Sequence, residues 1–174
     1  MRPDMHLYNE STTRRSILRA QINWSRELTF SPRQINYILN RVPHARGVYC
    51  IYAKDRLFPY EPPHSTTRFW NPVVYIGSGW LDNRLCAHLR EQRNNILSSY
   101  IGNFNLGYRF DRIFDDDEFQ DWPRTVEAGL LACFKQTFAA LPPANRREEL
   151  LPAMDLDQFL LAESYNFRVL KRGG

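Results

Sequence analysis

The stretch GVYCIYA at residues 47–53 decides the fold of the central part of the chain. It consists of β-branched, aromatic and other apolar residues, so it predicts a strand over residues 48–53. A similar stretch, VVYI, predicts a second strand over residues 73–76. From residue 106 to residue 114, mostly aromatic side chains recur at every second position, and this period of two predicts a third strand.

Helical signals lie on both sides of these strands. Ser31 is typical of an N-cap and Pro32 of a first helical position, while Pro43 predicts the end of the same helix. Ile38 and Leu39 stand at core spacing within it. The other predicted helices cover residues 11–22, 82–93, a short piece near 96, 121–138 and 156–162.

These elements predict an α+β fold with a small three-stranded antiparallel sheet flanked by helices and preceded by an N-terminal helical extension. We expect a basic helical extension over residues 1–46 and a core over residues 47–146. Residues 56–71, rich in proline and aromatic residues, are expected to form a loop inserted into the core, since the stretch is too long for a hairpin turn. Residues 147–174 are expected to form a helical tail that packs on the core.

The length of 174 residues and the hydrophobic content of 43% are typical of one globular domain with a real core. The net charge is +4, and its distribution is uneven. Residues 1–46 hold eight arginines and three acidic residues, whereas the rest of the chain holds fifteen basic and sixteen acidic residues. Only three of the 23 basic residues are lysine, a bias that fits phosphate contact and equally fits a GC-rich genome.

The three cysteines are odd in number and widely spaced, which indicates neither a disulfide framework nor a zinc site and favours a reducing compartment. No apolar run approaches the length of a membrane span, and no signal-peptide core precedes the first helix. We therefore expect a soluble cytoplasmic protein that does not contact membranes.

Chemically useful side chains follow the second predicted strand. Arg84 and His88 lie four residues apart, so they share one face of a helix. Glu127 lies in an apolar helix on the same face as Leu130 and Phe134, and a carboxylate there needs a positive partner. That partner is either a divalent metal ion or an arginine.

Together with the tripeptides Gly47-Val48-Tyr49 and Tyr75-Ile76-Gly77, these residues form an ordered set that ends at Asn145. The set resembles the motifs of the GIY-YIG nuclease family, with valine in place of isoleucine in the first tripeptide. The resemblance covers roughly residues 47–146, and an insertion after the first strand is similar to the restriction-enzyme branch of that family.

The resemblance implies roles for six residues. It makes Glu127 the sole protein ligand of a catalytic Mg²⁺ or Mn²⁺ and Arg84 the group that stabilises charge on the phosphoryl oxygens. Tyr49 or His88 would take the proton of the attacking water, and the residues leave this choice open. Tyr75 would position the phosphate or shape the site, and the side-chain amide of Asn145 would brace it.

The resulting hypothesis is a metal-dependent DNA endonuclease, of restriction type or another defence nuclease, acting on double-stranded DNA. Two alternatives are a non-catalytic nucleic-acid-binding module and a non-specific toxin or effector nuclease. The start at Met1 and the unrelated flanks favour a stand-alone enzyme, and a homodimer or a larger defence complex stays open. The predicted DNA-binding residues are Arg14, Arg15, Arg19, Arg46, Lys54 and Arg68.

Overall fold

The computed structural model describes residues 22–61, 66, 68–91, 94–113, 122–146 and 170–171. In these residues the protein is α+β, with two antiparallel sheets and four α-helices. The strands are β1 (Leu28–Phe30), β2 (Arg46–Ala53), β3 (Phe58–Tyr60), β4 (Phe69–Asn71), β5 (Val73–Trp80), β6 (Leu106–Arg112) and β7 (Leu170–Lys171). The α-helices are α1 (Ile35–Arg41), α2 (Leu81–Arg90), α3 (Asn95–Asn103) and α4 (Trp122–Phe138), and a short 3₁₀ helix (Pro32–Gln34) precedes α1.

The main sheet has the strand order β1-β6-β2-β5, and every neighbouring pair is antiparallel. Strand β2 lies in the centre, where Tyr49 is opposite Gly77 of β5 on one side and Phe110 of β6 on the other. Because its neighbours satisfy β2 on both edges, the strand can be buried along most of its length. Strand β5 lies at one edge of this sheet.

Helices cover both faces of the main sheet. Side chains such as Tyr49 and Ile51 point to the face covered by α1, α2 and α3. Their neighbours Val48 and Cys50 point to the opposite face, against α4. This alternation follows from the period of two in a strand, and it produces two hydrophobic cores separated by the sheet.

The prediction of a three-stranded sheet is wrong, because the main sheet has a fourth strand. Strand β1 comes from residues 1–46, which the sequence predicted as a helical extension. It has only three residues, too few for a pattern of alternation, yet Phe30 is buried against Tyr108 with ring centroids 5.8 Å apart. That contact and the pairing of β1 with β6 make the segment a strand.

The predicted loop over residues 56–71 contains two strands. Strands β3 and β4 pair with each other, and β4 also pairs with β7, so a second, three-stranded sheet forms. Tyr60 of β3 packs on Phe134 and Phe138 of α4. Tyr60 and Phe69 therefore serve the core next to α4, whereas Phe58 packs on Tyr100 and Phe104.

Most of the predicted elements are present with different bounds. The second predicted strand extends to Trp80, four residues further than predicted. Ser31 precedes the first helical turn but its side chain makes no capping hydrogen bond, and that turn is 3₁₀. Ile38 is buried as predicted, whereas Leu39 is 42% exposed and is no core residue.

Several predictions lie outside the described residues. They include the helices at residues 11–22 and 156–162 and nearly all of the tail at residues 147–174, of which only the two residues of β7 are described. Among the helices that the structure does describe, none combines the length and apolar character that crossing a membrane requires.

Candidate active site

The two tripeptides found in the sequence face each other in the main sheet. Tyr49 of β2 is fully buried and lies opposite Gly77 of β5. A Cβ added to Gly77 would lie 2.5 Å from the phenol oxygen of Tyr49 and 2.7 Å from the ring of Tyr75. Gly77 is therefore required because the two tyrosine rings occupy the space where a side chain would be.

Helix α2 brings a histidine onto these tyrosines. The phenol oxygen of Tyr49 is 2.7 Å from Nε2 of His88, a hydrogen-bond distance. The ring of Tyr75 meets the imidazole edge-on, with centroids 5.0 Å apart. The three rings thus form one cluster on the face of the sheet covered by α2.

Burial sets the protonation of this cluster. It raises the pKa of Tyr49 well above the usual value of a tyrosine, and the nearby Arg84 opposes this shift only in part. Burial, followed by the positive charge of Arg84, lowers the pKa of His88 to about 4. At neutral pH the phenol is therefore protonated and the imidazole neutral, so the phenol of Tyr49 donates the hydrogen bond and Nε2 of His88 accepts it.

Arg84 lies one helical turn before His88, as predicted. Gly79 has a φ of +125°, and a Cβ there would lie 3.1 Å from Cγ of Arg84. The glycine thus adopts a conformation that other residues avoid, and it leaves room for the arginine side chain. The charge of Arg84 acts on Tyr49, Tyr75 and Glu127, and this shows that the four groups share one site.

Glu127 reaches the site from the other face of the sheet. Ser78 is opposite Val48, so its side chain points toward α4, and its Oγ donates a hydrogen bond to Oε2 of Glu127 at 2.5 Å. The negative charge of Glu127 contributes to raising the pKa of both Tyr49 and Tyr75. Since β5 lies at the edge of the sheet, side chains from α2 and α4 can meet around it.

Asn145 holds the same strand from outside. Its Oδ1 accepts from the backbone N–H of Ile76 at 2.9 Å, and its Nδ2 donates to the carbonyl of Ile76 at 2.8 Å. The preceding residue adds a bond from Ala144 N–H to the carbonyl of Val74 at 3.0 Å. The predicted bracing role of Asn145 therefore has a specific geometry, directed at the backbone of Ile76.

The structure brings together all six predicted site residues, but it does not bring Lys54 or Arg68 to them. Lys54 lies beyond the far end of β2, roughly 16 Å from Tyr49 at the rise of a strand. Its ammonium is 3.4 Å from Glu27, and the guanidinium of Arg68 is 2.6 Å from Glu61. Both cations are thus engaged in surface ion pairs.

The other predicted DNA-binding residues are placed differently. Arg46 begins β2 opposite Trp80, three residues before Tyr49. Arg14, Arg15 and Arg19 lie outside the described residues. Arg46 therefore shares its strand with a site residue.

Sequence analysis missed two features beside the site. The first is Ser78, which follows the second tripeptide directly, and alternation along the strand could have placed it on the face of α4. The second is a stacked pair, His44 and Trp80, with ring centroids 4.7 Å apart and an interplanar angle of 17°. Nδ1 of His44 also lies 2.9 Å from Oδ2 of Asp82, at the start of α2.

The donor set at Glu127 decides which metal the site can take. Over the ranges that the structure describes, no group of three His, Cys, Asp or Glu side chains could hold a metal ion. A single carboxylate beside a hydroxyl is a hard oxygen site, and it fits Mg²⁺ or Mn²⁺, which keep several water ligands. It does not fit zinc, which takes three or four protein ligands.

The site therefore combines a guanidinium, a hydrogen-bonded phenol and imidazole, and a carboxylate around one strand edge. Such a set can stabilise an anionic transition state, move a proton and bind a hard cation. No protein-family model, curated protein or solved structure matches this chain.

Proposed function

We propose that the protein is a metal-dependent endonuclease that hydrolyses phosphodiester bonds in DNA. One observation carries the proposal: six residues selected from the sequence by their resemblance to the GIY-YIG nucleases meet at one strand edge. They lie between positions 49 and 145 and come from two strands, two helices and a loop. If His88 served only packing, its neighbours would not have to be the tyrosines, the arginine and the carboxylate that the resemblance assigns to the site.

Arg84 would neutralise charge in the transition state. Attack of water on a phosphodiester places additional negative charge on the phosphoryl oxygens, and a guanidinium can donate two parallel hydrogen bonds to them. Removing one oxyanion-type donor typically costs about 3–4 kcal/mol of transition-state stabilisation. The residues around Arg84 leave its charge in place, because Glu127 and the two tyrosines all favour the protonated guanidinium.

Tyr49 and His88 would handle the proton of the attacking water as a pair. A phenol whose pKa is raised by burial is a poor base by itself. The imidazole 2.7 Å away would take the phenol proton while the phenol oxygen takes one from water. The lowered pKa of His88 opposes this transfer, so the negative charge of a bound phosphate would have to offset the effect of burial. In this arrangement the phenol of Tyr49, which is buried in the protein alone, would meet the water when substrate binds, and His88 would be the final acceptor.

Glu127 would hold the cation, with Ser78 beside it. When bound, Mg²⁺ or Mn²⁺ supplies Lewis-acid polarisation of the phosphoryl oxygen. The carboxylate is partly buried and accepts a hydrogen bond from the hydroxyl of Ser78.

The substrate class is the part of the proposal that depends on charge. The arginine-rich segment over residues 1–46 favours a polyanionic partner, and double-stranded DNA fits the restriction-type or defence role suggested by the resemblance. One such site cuts one strand. Cutting both strands would require a homodimer or two successive nicks.

The decisive experiment is a plasmid cleavage assay. Supercoiled plasmid is incubated with the purified protein in Mg²⁺, in Mn²⁺ and in excess chelator. Nicked or linear product is expected with either metal and not with chelator. Glu127→Gln should abolish product without releasing DNA in a gel-shift assay, whereas Asp55→Asn, which changes an exposed carboxylate in a turn, should cut normally.

Three results would contradict the proposal. Cleavage that persists in chelator, or that Glu127→Gln performs at the wild-type rate, would remove the role of the metal. Tight DNA binding without cleavage under any metal would favour the non-catalytic binding module instead.

A further inference from the structure

We propose that Ser78 is a positioning residue that holds the carboxylate of Glu127 in the orientation needed to bind a divalent cation. The inference rests on the proposed function and adds a residue that the family resemblance did not assign. Its basis is the 2.5 Å hydrogen bond from Ser78 Oγ to Glu127 Oε2.

The sheet register explains why Ser78 can make this contact. Ser78 is opposite Val48, and Val48 and Ile76 both pack in the core against α4. Ser78 therefore stands on the α4 face, one position after Gly77, whose own position faces the tyrosines. Strand β5 thus contributes to the site on both faces of the sheet, through Gly77 on the face of the tyrosines and through the hydroxyl of Ser78 on the face of α4.

The direction of the hydrogen bond follows from the chemistry of the two groups. An ionised carboxylate only accepts hydrogen bonds and has about four lone-pair sites, so the hydroxyl of Ser78 donates and occupies one of them. A hydrogen bond to one oxygen also fixes the rotation of the carboxylate plane, which is how outer partners orient metal ligands in proteins.

Arg84 makes this restraint necessary. Its positive charge interacts with Glu127, and it lies beside Tyr49 and Tyr75 on the other side of the strand. Without the serine hydroxyl, the arginine attracts the carboxylate away from α4 and competes with the cation. By holding the carboxylate of Glu127, Ser78 leaves Glu127 to bind the cation and Arg84 to bind the phosphate.

The test compares side chains of equal size with and without a hydroxyl. Ser78→Thr keeps the hydroxyl, and Ser78→Val has nearly the same shape and lacks it, so a packing effect is common to both. Ser78→Ala completes the set, and Ser99→Ala in the exposed part of α3 is the control for loss of a serine elsewhere. Circular dichroism melting establishes that each variant folds.

Binding of Mn²⁺ alone, without DNA, is measured by electron paramagnetic resonance. Loss of an outer-shell partner typically weakens metal binding by about 10–100-fold, so this loss is expected for Ser78→Ala and Ser78→Val. Ser78→Thr and Ser99→Ala should bind within a few-fold of the wild type. Equal Mn²⁺ affinity in Ser78→Val and Ser78→Thr would overturn the proposal.

A second measurement separates positioning from structural damage. The Mg²⁺ concentration that gives half-maximal plasmid cleavage should rise in Ser78→Val by the factor seen for Mn²⁺, while the rate at saturating Mg²⁺ returns close to that of the wild type. A rate that stays low at saturating metal would contradict a positioning role. If the wild type never cuts DNA, the proposed function fails, but the Mn²⁺ affinities still decide the role of Ser78.

Discussion

The phenol oxygen of Tyr49 and Nε2 of His88 lie within hydrogen-bond distance of each other, at 2.7 Å, although they belong to different elements, the central strand and the helix that covers it. Tyr49 is fully buried and His88 is partly buried, and burial moves their pKa values apart, that of the phenol upward and that of the imidazole downward. The pair therefore has one defined protonation state over the whole neutral range.

The first prediction concerns cleavage by Tyr49→Phe. This change removes only the hydroxyl, so the single-turnover rate should fall by about 10²–10⁴-fold, the range for general-base catalysis, with the fold unchanged. His88→Ala should cost less, because solvent can replace the final proton acceptor. Tyr37→Phe, at an exposed tyrosine of α1, is the matched control.

The pH dependence of these rates checks the assignment. Because the pKa of His88 is about 4, the Tyr49→Phe enzyme should show no inflection near the usual histidine pKa between about pH 5.5 and 9.5. A rise in rate through pH 6.5 would instead assign the base role to a solvated His88. Near-wild-type rates in both variants would exclude the pair from catalysis.

A second prediction concerns stability as the pH falls. The pKa of His88 is about 4 in the folded protein and near 6.5 in an unfolded chain, so between these values the unfolded chain binds the extra proton. The contribution of neutral His88 to the stability of the folded protein is thus fully present above pH 6.5 and is lost as the pH falls toward 4. The loss is on the order of 2–3 kcal/mol, allowing for partial exposure.

Urea unfolding of the wild type and of His88→Gln, from pH 4 to 7.5, isolates this contribution. Glutamine can still bond to Tyr49 but does not titrate. The wild type should lose more free energy of unfolding than the variant over that range. Parallel curves would mean that His88 keeps an ordinary pKa in the folded protein.

The third prediction concerns Gly77→Ala. The added Cβ would meet Tyr49 and Tyr75 at 2.5–2.7 Å, and the fully buried ring of Tyr49 cannot move away freely. We expect a loss of about 1–3 kcal/mol in the free energy of unfolding, typical of overpacking, together with loss of cleavage.

Gly102→Ala is the matched control for that change. Gly102 lies in α3, and a Cβ there would meet nothing within 4 Å. Alanine should therefore stabilise the helix, by up to about 1 kcal/mol. Equal effects of the two substitutions in urea unfolding would contradict the packing argument for Gly77.

The fourth prediction concerns DNA affinity. Neutralising Arg14, Arg15 and Arg19 together should weaken binding and reduce the log–log salt slope by about 0.9 for each lost phosphate contact. Arg68→Gln should change the slope less, because Glu61 already offsets that charge at 2.6 Å. Fluorescence anisotropy at several salt concentrations measures both slopes, and an unchanged slope in the triple variant would mean that these arginines do not contact DNA.

The candidate site residues could be selected from the sequence because they form an ordered set that resembles the motifs of the GIY-YIG nucleases, and some of them also lie at regular local spacings. His88 follows Arg84 by one helical turn, and Gly77 follows Tyr75 by one strand period. Ser78 escaped prediction because its role depends on a register between β5 and β2 and on the position of α4, which no local pattern encodes.

The strand count failed for a related reason. Strand β1 is three residues long, and its identity comes from pairing with β6, more than seventy residues later. Strand β4 pairs with the nearby β3 and also with β7, which lies about a hundred residues later near the end of the chain. Partners so distant in sequence decide the structure of segments that have little pattern of their own.

The contacts of Asn145 have a consequence for assembly. An edge strand normally offers a row of free N–H and C=O groups onto which another chain can add a strand. On β5, the amide of Asn145 occupies both groups of Ile76, and Ala144 occupies the carbonyl of Val74. Two copies of the protein therefore cannot join their main sheets into a continuous one through this part of β5, and a dimer must form through other surfaces.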